Sequence, residues 1–462
     1  MAQDADTTYD LVILGGGSGG YACALRASEL GLSVVLIEKD KVGGTCLHNG
    51  CIPTKALLHA AEVADSTRDS EQFGVRATFD GIDMAGVNSY KDQVTGRLYK
   101  GLQGLVKSRG ITYVQGEGRL ASATTVTVGA ASYVGRHVVL ATGSYARSLP
   151  GLEIDGGRVM TSDQALRLDY VPRSVVVLGG GVIGVEFASV WKSFGAQVTV
   201  VEALPHLVPL EDEASSKLLE RAFRKRGIDF ELGARFSGVE HTAAGVLVSL
   251  ESGKTLEADI LLVAVGRGPV SDGLGYAEAG VGMDRGYVVV DEFCRTSVPG
   301  VYAVGDLIAT LQLAHVGFGE GILVAEHIGG LNPRPIDYDG VPRIAYCEPE
   351  VASVGITEAA AKERYGEDKI TVVSYDLAGN GKSQILKTAG AVKLVAVKDG
   401  PVVGIHMVGA RVGELLAEAQ LIYNWEGYAD DVAALIHPHP TQSEAIGEAH
   451  LALAGKPLHA HG

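Results

Sequence analysis

Two cysteines near the N-terminus have the chemistry and the spacing of a redox pair. Cys46 and Cys51 are five residues apart in the segment GGTCLHNGCIPTK, which covers residues 43–55. In one regular helix their Cα atoms would lie more than about 7 Å apart, which is too far for a disulfide. Gly50 and Pro53 instead predict a loop that bends back before a helix begins. Cys51 would then lie at the helix N-terminus, where the dipole favours a thiolate.

A reactive pair is one of three interpretations of these cysteines. Lys55, one helical turn after Cys51, adds a positive charge that favours a thiolate. The alternatives are a metal site, for which a second closely spaced cysteine pair is absent, and two buried structural thiols. The chain has five cysteines, too few and too scattered for a secreted disulfide framework. We therefore expect a cytoplasmic protein, in which a disulfide is typically catalytic.

A second group of reactive side chains lies near the C-terminus, in the segment HPHPTQSE at residues 437–444. Oxidation of a dithiol needs a base that takes protons from the incoming thiols, and histidine suits this task. Two roles fit Glu444: it orients a histidine ring, as in a catalytic triad, or it closes a capping box that begins at Thr441. The residues alone leave both roles open.

Two segments of the chain repeat one strand–loop–helix–strand unit, and the loop of each unit is rich in glycine. The first has a strand at 11–14, the loop GGGSGG at 15–20, a helix to about residue 30 and a strand at 33–37 that ends on Glu38. The second has a strand at 175–178, the loop GGGVIG at 179–184, a helix to about residue 194 and a strand at 197–201 that ends on Glu202. The three motif glycines of each loop are Gly15, Gly17 and Gly20, and Gly179, Gly181 and Gly184.

This context is typical of dinucleotide-binding units, in which the glycines let the backbone approach a pyrophosphate at a helix N-terminus. Glu38 and Glu202 would accept hydrogen bonds from ribose hydroxyls. The alternative is a pair of tight turns without a ligand. Residues 203–210 contain no Arg or Lys for a 2′-phosphate, so the second unit favours NAD over NADP.

The composition is that of a globular protein with several domains. The chain has 462 residues, of which 46% are hydrophobic and 62 are glycine, about twice the usual share. Its net charge of −16 argues against general affinity for nucleic acid or anionic membranes. The acidic first residues are unlike a signal peptide, and we find no apolar run long enough to span a bilayer.

The remaining patterns predict further elements. Helices are expected at 54–64 and 93–107, and a small antiparallel sheet over 112–140. From about Asp339 the pattern changes, with a hairpin of strands 392–397 and 402–408 around Asp399-Gly400. Helices at roughly 412–424 and 442–454 follow.

The motif GGTCxxxxCIPxK after a dinucleotide unit resembles the FAD-dependent pyridine nucleotide-disulfide oxidoreductases, and the resemblance covers essentially the entire chain. It implies an α/β fold with two Rossmann-like dinucleotide-binding domains and a C-terminal α+β dimerisation domain. The implied order is an FAD-binding domain at 1–150, an NAD-binding domain at 151–267, a central segment at 268–338 that returns to the FAD domain, and an interface domain at 339–462.

The resemblance also implies roles for single residues. Cys46 would exchange with the substrate and Cys51 would contact the flavin, with Lys55 beside flavin N5 and Glu186 as its carboxylate partner. The alternative role for Glu186 is a first-turn acid that complements a helix dipole, but an acid there would oppose a bound pyrophosphate, so the family role is favoured. The implied FAD contacts are Gly15, Gly17, Gly20, Glu38, Lys55, Thr142, Gly143, Asp306 and Ala314. The implied NAD contacts are Gly179, Gly181, Gly184, Glu202 and Gly266, and no metal is expected.

In the same family the base is the histidine before Pro-Thr, here His439, with Glu444 five residues later. His437 is then interpreted as structural. The resemblance further implies that His439 serves the cysteine pair of the partner subunit, which makes a homodimer the expected state.

Within the family, Glu202 disfavours members that use NADPH, and no cysteine follows Cys347 to supply the second pair of a mercuric reductase. We therefore expect oxidation of protein-bound dihydrolipoamide by NAD⁺. The partner would be the lipoyl domain of a 2-oxo acid dehydrogenase complex or a glycine-cleavage carrier. The alternatives are a reductase of a small disulfide such as mycothione or glutathione disulfide, and a nucleotide-binding protein without turnover. Val270 and Pro438 depart from the family pattern and leave cofactor contacts and base geometry open.

Overall fold

A computed structural model of the chain describes residues 8–459. Within these residues the chain forms thirteen α-helices and 24 β-strands. The helices are α1 (Ser18–Glu29), α2 (Gly44–Asn49), α3 (Cys51–Arg68), α4 (Met84–Ser108), α5 (Ser162–Ala165), α6 (Val182–Phe194), α7 (Glu213–Arg226), α8 (Ala314–Ile328), α9 (Glu358–Tyr365), α10 (Gly381–Leu386), α11 (Leu416–Asn424), α12 (Ala429–Ala433) and α13 (Glu444–Leu453). The strands are β1 (Thr8–Leu14), β2 (Val34–Glu38), β3 (Thr112–Gln115), β4 (Gly118–Ser122), β5 (Thr125–Val128), β6 (Ala131–Leu140), β7 (Ser144–Ala146), β8 (Val159–Met160), β9 (Ser174–Leu178), β10 (Gln197–Val201), β11 (Asp229–Glu231), β12 (Phe236–His241), β13 (Val246–Leu250), β14 (Thr255–Ala258), β15 (Ile260–Val263), β16 (Arg267–Pro269), β17 (Met283–Asp284), β18 (Tyr287–Val288), β19 (Val301–Ala303), β20 (Arg343–Ala345), β21 (Glu350–Gly355), β22 (Ile370–Asp376), β23 (Ala391–Val397) and β24 (Val402–Gly409).

The chain divides into two compact units. The first consists of the residues up to Ala56 together with Ala85–Arg147 and Gly266–Tyr338. The second consists of Leu57–Met84, Ser148–Val265 and the residues from Asp339 onward. The chain therefore passes between the units several times.

A largely parallel sheet organises the first unit. Its strand order is β3-β2-β1-β6-β5-β4, and β19 pairs with β6. Strand β1 runs parallel to β2 and β6, with Leu11 opposite Val34 and His137. The central residues of β1 and β2 are inaccessible to solvent, as expected of parallel strands covered on both faces. Helix α8 packs closely on α1, where a side chain at Gly321 would collide with the carbonyl oxygen of Gly19.

The second unit contains a second parallel sheet and two antiparallel ones. The parallel sheet has the order β11-β10-β9-β15-β8. Strands β12-β13-β14 form a small antiparallel sheet, and β20-β21-β24-β23-β22 form the larger one. Helices α11 and α13 cover the larger sheet through a buried cluster that includes Ala419 and Ile446. This sheet places α13 and the segment before it.

The structure confirms three predictions: the α/β fold class, the repeated strand–loop–helix–strand unit and the hairpin at Asp399. The prediction of one antiparallel sheet over residues 112–140 was wrong for β3, which pairs in parallel with β2, whereas β4, β5 and β6 are antiparallel. Strand β3 alternates in burial because it lies at the sheet edge, and this alternation imitates an antiparallel pattern. The four-part domain division stays a prediction. Within residues 8–459, no helix is both long and apolar enough to cross a membrane.

Candidate active site

The two cysteines lie on either side of a break between two helices. Cys46 lies in the short helix α2, and Cys51 is the first residue of α3. Gly50 separates the helices with φ −150° and ψ −115°, and its carbonyl oxygen accepts hydrogen bonds from the amide and the hydroxyl of Thr54. The predicted position of Cys51 at a helix start is confirmed. The prediction of a loop around Cys46 was wrong, because these residues form one helical turn before the break.

Burial and neighbouring groups act on the thiol of Cys46. Both cysteine side chains are half-buried. The pKa of Cys46 is raised, first by the hydrogen bond it shares with Cys51 and next by burial, while the charge of Lys55 and a hydrogen bond from Ser18 oppose the rise. Cys46 therefore keeps its proton more readily than an isolated thiol, and its hydrogen bond with Cys51 is the largest cause.

Two residues of α1 that sequence reasoning missed lie beside the dithiol. Ser18 bonds to Cys46. Burial, followed by the nearby Cys46 and Cys51, raises the pKa of Tyr21 to about 12. Their only signal in the sequence is their place in and directly after the first glycine-rich loop, a motif that by itself predicts phosphate binding and not contact with a dithiol.

The first glycine-rich loop has the geometry of a dinucleotide site. Gly15 has φ +108°, and a Cβ there would collide with the carbonyl oxygen of Ala141. A Cβ at Gly20 would collide with the carbonyl oxygen of Gly15. By contrast, a Cβ at Gly17 would meet nothing within 4 Å. Gly17 caps α1 without any side-chain hydrogen bond, so the helix amides face open space that suits a pyrophosphate.

The second loop repeats this geometry. A Cβ at Gly179, with φ +110°, would collide with the carbonyl oxygen of Ala264, and one at Gly184 with that of Gly179. A Cβ at Gly181 would meet nothing within 4 Å, and this residue caps α6 without a side-chain bond. The first and third glycines are thus required by the fold. The second glycine leaves the approach to the helix open, and both loops fit a dinucleotide.

The acids at the strand ends are held in matching ways. Glu38 accepts hydrogen bonds from the amides of Gly16 (2.6 Å) and Asp40 (2.8 Å). Glu202 accepts from the amides of Gly180 (2.7 Å) and Leu204 (2.8 Å). Each carboxylate is therefore fixed beside its loop, and its remaining lone pairs are placed for ribose hydroxyls.

The dithiol segment rests on the first loop. The amide of Gly43 donates to the carbonyl oxygen of Gly16 at 2.8 Å. A Cβ at Gly44 would lie 2.7 Å from the Cα of Gly17. This contact brings the two cysteines to the dinucleotide site of the first unit.

The other residues expected at this site lie in the same unit. Thr142 donates to the carbonyl oxygen of Val270 at 2.6 Å, and the carbonyl oxygen of Gly143 accepts from the Val270 amide. Both bonds to Val270 use its backbone, so they do not depend on which side chain this residue carries. Asp306 accepts from the hydroxyl of Ser144, and Ala314 begins α8. Gly266, which is predicted to contact NAD, has φ +107°, accepts from the Arg147 amide and also belongs to the first unit.

A buried acid that sequence reasoning missed braces the turn that carries Asp306. Glu320 on α8 is fully buried and accepts from the amide of Gly305 (2.6 Å) and the hydroxyls of Thr310 (2.9 Å) and Tyr338 (3.0 Å). Burial raises its pKa to about 7, although these three donors oppose the rise. The available signal was one acid within the apolar run GFGEGILV.

In the second unit, His439 and Glu444 form a close pair. Nδ1 of His439 lies 2.7 Å from Oε1 of Glu444, and the side chain of His439 is 76% exposed. The second carboxylate oxygen of Glu444 accepts from the Thr441 amide at 2.8 Å. Burial opposes ionisation of Glu444, but the bonds from Thr441 and His439 hold its pKa below the usual value.

Glu444 therefore combines the two roles that the sequence left open. The predicted capping box was wrong in register, because α13 begins at Glu444 rather than just after Thr441. The carboxylate still binds a backbone amide at the helix start, and it also binds the histidine ring. The free edge of the ring, which carries Nε2, faces solvent.

Glu186 and Lys55 lie in different units, so their predicted pairing stays a prediction. Glu186 is buried on α6 and accepts from the amide of Tyr346 at 3.0 Å. These two residues are 160 positions apart in the chain, so no local sequence pattern could have predicted this contact. The helix-dipole role alone does not describe this acid.

Residues 9–321 match the family model described as pyridine nucleotide-disulphide oxidoreductase, and residues 341–450 match the dimerisation domain of the same family. The chain belongs to the pyridine nucleotide-disulphide oxidoreductase family. The family predicted from the cysteine and glycine motifs is thereby confirmed, together with its cofactor types, FAD and NAD.

Curated members of this family resemble the chain over nearly its full length. A protein of Bacillus subtilis (strain 168) named dihydrolipoyl dehydrogenase is 41% identical, covering 98% of this chain and 99% of the relative. The mitochondrial dihydrolipoyl dehydrogenase of Pisum sativum is 38% identical, covering 97% and 92%. Among solved structures, LpdA from Mycobacterium tuberculosis superposes with a TM-score of 0.89 at 28% identity and covers 96% of this chain and 99% of its own.

Proposed function

We propose that this member of the pyridine nucleotide-disulphide oxidoreductase family acts as a dihydrolipoyl dehydrogenase. It oxidises the dihydrolipoyl group of a carrier protein to the cyclic disulfide and reduces NAD⁺. The observation that carries the proposal is the geometry of the dithiol: Cys46 and Cys51 flank the break between α2 and α3, and the segment before them contacts the first dinucleotide loop. The relatives that carry the dihydrolipoyl dehydrogenase name support the choice of substrate.

The first unit would hold FAD and the second NAD⁺. The amides of α1 at Gly17 receive the FAD pyrophosphate, and Glu38 receives its adenosine ribose. Gly181 and Glu202 do the same for NAD⁺, and the fixed carboxylate of Glu202 repels a 2′-phosphate. FAD bound at the first loop would supply the two-electron carrier between the dithiol and NAD⁺.

His439 removes the proton from the incoming dihydrolipoyl thiol. Because Glu444 occupies Nδ1, the ring presents Nε2 as the basic atom. The carboxylate also stabilises the positive charge that the ring gains when it accepts the proton. His439 thus acts as the base and Glu444 as the acid that orients it, as oxidation of a thiol requires.

The sulfur chemistry starts from the oxidised Cys46–Cys51 disulfide. The substrate thiolate attacks the sulfur of Cys46, the disulfide breaks, and Cys51 leaves as a thiolate. The second substrate thiol then attacks the substrate sulfur of the mixed disulfide. This releases the lipoyl disulfide and leaves a reduced enzyme with one proton shared between its thiols. Once the lipoyl disulfide has left, Cys46 carries that proton, and its hydrogen bond toward Cys51 stabilises the Cys51 thiolate of the reduced enzyme.

We infer a homodimer in which His439 serves the cysteines of the partner subunit, because the base lies on the dimerisation segment and its ring is exposed. The expected partner is the lipoyl domain of a 2-oxo acid dehydrogenase complex or a glycine-cleavage carrier, in the reducing cytoplasm.

An anaerobic steady-state assay tests the proposal. The purified flavoprotein should oxidise dihydrolipoamide with NAD⁺ much faster than it reduces glutathione disulfide or mycothione with NADPH. Faster turnover with NADPH and either small disulfide would overturn the assignment. A colourless preparation without flavin absorbance would also overturn it.

A further inference from the structure

We infer that His437 and Glu418 form a second histidine–carboxylate pair, which positions the catalytic base His439. This inference rests on the proposed function. In it, His437 never touches the substrate, and it acts by fixing the direction from which His439 meets the incoming thiol.

The two histidines of the His437-Pro438-His439 segment have opposite environments. Nε2 of His437 lies 2.7 Å from Oε1 of Glu418, and the two side chains are 12% and 29% exposed. The side chain of His439 is 76% exposed. The ring of His437 is therefore anchored inside the unit, while the ring of His439 is exposed to solvent.

The anchor involves two helices. Glu418 belongs to α11, and the opposite side of the His437 ring packs on Gly447 of α13, where a Cβ would approach Nδ1 to 2.5 Å. Gly447 has no side chain, and this absence makes room for the ring. His437 is thus clamped between the Glu418 carboxylate and the backbone of α13.

The register of α13 links this clamp to the catalytic pair. Glu444 and Gly447 are three residues apart on one helix face, about one turn or 5 Å. Two residues of extended chain span up to about 6.6 Å, which is enough to reach from one position to the other. Consecutive turns of α13 therefore receive His439 and His437 in order. If His437 slipped, the ring of His439 would move relative to Glu444.

A second histidine, His450, is buried on α13 near this clamp. His450, one helical turn after Gly447, is fully buried and bonds through Nδ1 to the carbonyl oxygen of Ile446 at 2.7 Å. Burial lowers the pKa of His450 to about 4; its backbone bond to Ile446 opposes this shift, and the charge of His437 adds to it. His450 stays neutral at working pH, and the Glu418 carboxylate is the group that bonds directly to His437.

The test uses His437→Gln, Glu418→Ala and the double variant, each made alone and on a His439→Gln background. Displacing a catalytic group by about 1 Å costs up to 100-fold in rate. We expect each single variant to lower kcat for dihydrolipoamide about tenfold, with KM within twofold and the NADH–ferricyanide rate unchanged. The double variant should equal the single ones. On the His439→Gln background, neither change should lower the residual rate further.

Two further variants separate positioning from folding. Gly447→Ala suits a helix better than glycine, yet its Cβ displaces His437, so kcat should fall without a rise in KM. His241→Gln removes another histidine–carboxylate pair of the same unit, which joins Nε2 to Asp155 at 3.3 Å, and should leave kcat unchanged.

The inference is wrong if the His437 and Glu418 variants keep wild-type kcat, or if their losses multiply with that of His439→Gln. The positioning role of His437 can be tested with any disulfide or dithiol that the wild type turns over. The quantity compared is the ratio of the kcat of each variant to the kcat of the wild type. Absent dihydrolipoamide turnover in the wild type would therefore remove the proposed function without deciding the role of His437.

Discussion

Oε1 of Glu444 lies 2.7 Å from Nδ1 of His439. The other oxygen of the same carboxylate holds the amide of Thr441, so one side chain fixes both the ring and the backbone that carries it. An amide in place of the carboxylate can accept only at its oxygen. One of the two partners would then lose its acceptor.

We therefore predict that Glu444→Gln lowers kcat for dihydrolipoamide oxidation about 100-fold, within the range typical of a lost general base. The NADH–ferricyanide rate, which needs no thiol deprotonation, should stay near wild type. The matched control is Glu448→Gln on the same helix, which removes the pair with His459 at 2.8 Å and should retain most turnover. A Glu444→Gln enzyme within twofold of wild type would contradict the orienting role.

Replacement of Cys46 should separate sulfur chemistry from flavin binding. Cys46→Ser removes the attacked sulfur, and we predict loss of dihydrolipoamide turnover by at least about 1,000-fold. Flavin absorbance and NADH–ferricyanide activity should persist, because the FAD loop is intact. Cys294→Ala serves as the control, since Cys294 is buried outside the candidate site, and its turnover should remain. Loss of bound flavin in Cys46→Ser, with normal binding in the control, would show a structural role instead.

Nucleotide choice should depend on Glu202. Glu202→Ala removes an acceptor from the ribose and from the Gly180 amide. A hydrogen bond to a charged group contributes about 1.5–3 kcal/mol, so KM for NAD⁺ should rise at least about tenfold. The preference for NAD⁺ over NADP⁺ should shrink as well. Glu231→Ala, at the end of the neighbouring strand β11, removes an ion pair with Lys254 and should leave both values unchanged. An unchanged KM in Glu202→Ala would rule out ribose binding by this acid.

The stability of the holoenzyme should depend on pH through Glu320. Burial raises the pKa of this carboxyl to about 7, whereas in the unfolded chain it is about 4.3. Between these values the folded protein holds a proton that the unfolded chain has released. The free energy of unfolding therefore falls as pH rises through this window.

Glu320→Gln has no titratable group at this position, so its Tm should decline less than that of the wild type between pH 5 and pH 8. Part of the slope should remain, because burial also raises the pKa of Glu350 to about 7. Glu278→Gln, at an exposed ion pair with Arg119, is the control and should keep the wild-type slope. Equal slopes in Glu320→Gln and the wild type would contradict the assignment.

Local patterns predicted the parts of the site that depend on local physics. The helix start at Cys51 followed from Gly50 and Pro53, and the glycine loops followed from strands, spacing and the acids at 38 and 202. The helix around Cys46 was missed because six residues are too few for a periodic signal. The contacts of Glu186 with Tyr346 and of Glu320 with Tyr338 join separate segments. Their positions depend on tertiary packing, which no local window contains.

The close match between the two glycine-rich loops has a consequence for inhibitor design. Both have an open second glycine, a helix start without a side-chain cap, and a carboxylate held by two loop amides. A compound that imitates only adenosine diphosphate would meet two nearly identical receptors on one chain. Selectivity has to come from the surroundings, where the Gly43–Gly44 segment adjoins the first loop and Leu207 and Val208 adjoin the second. A compound extended toward that segment would select the first loop over the second.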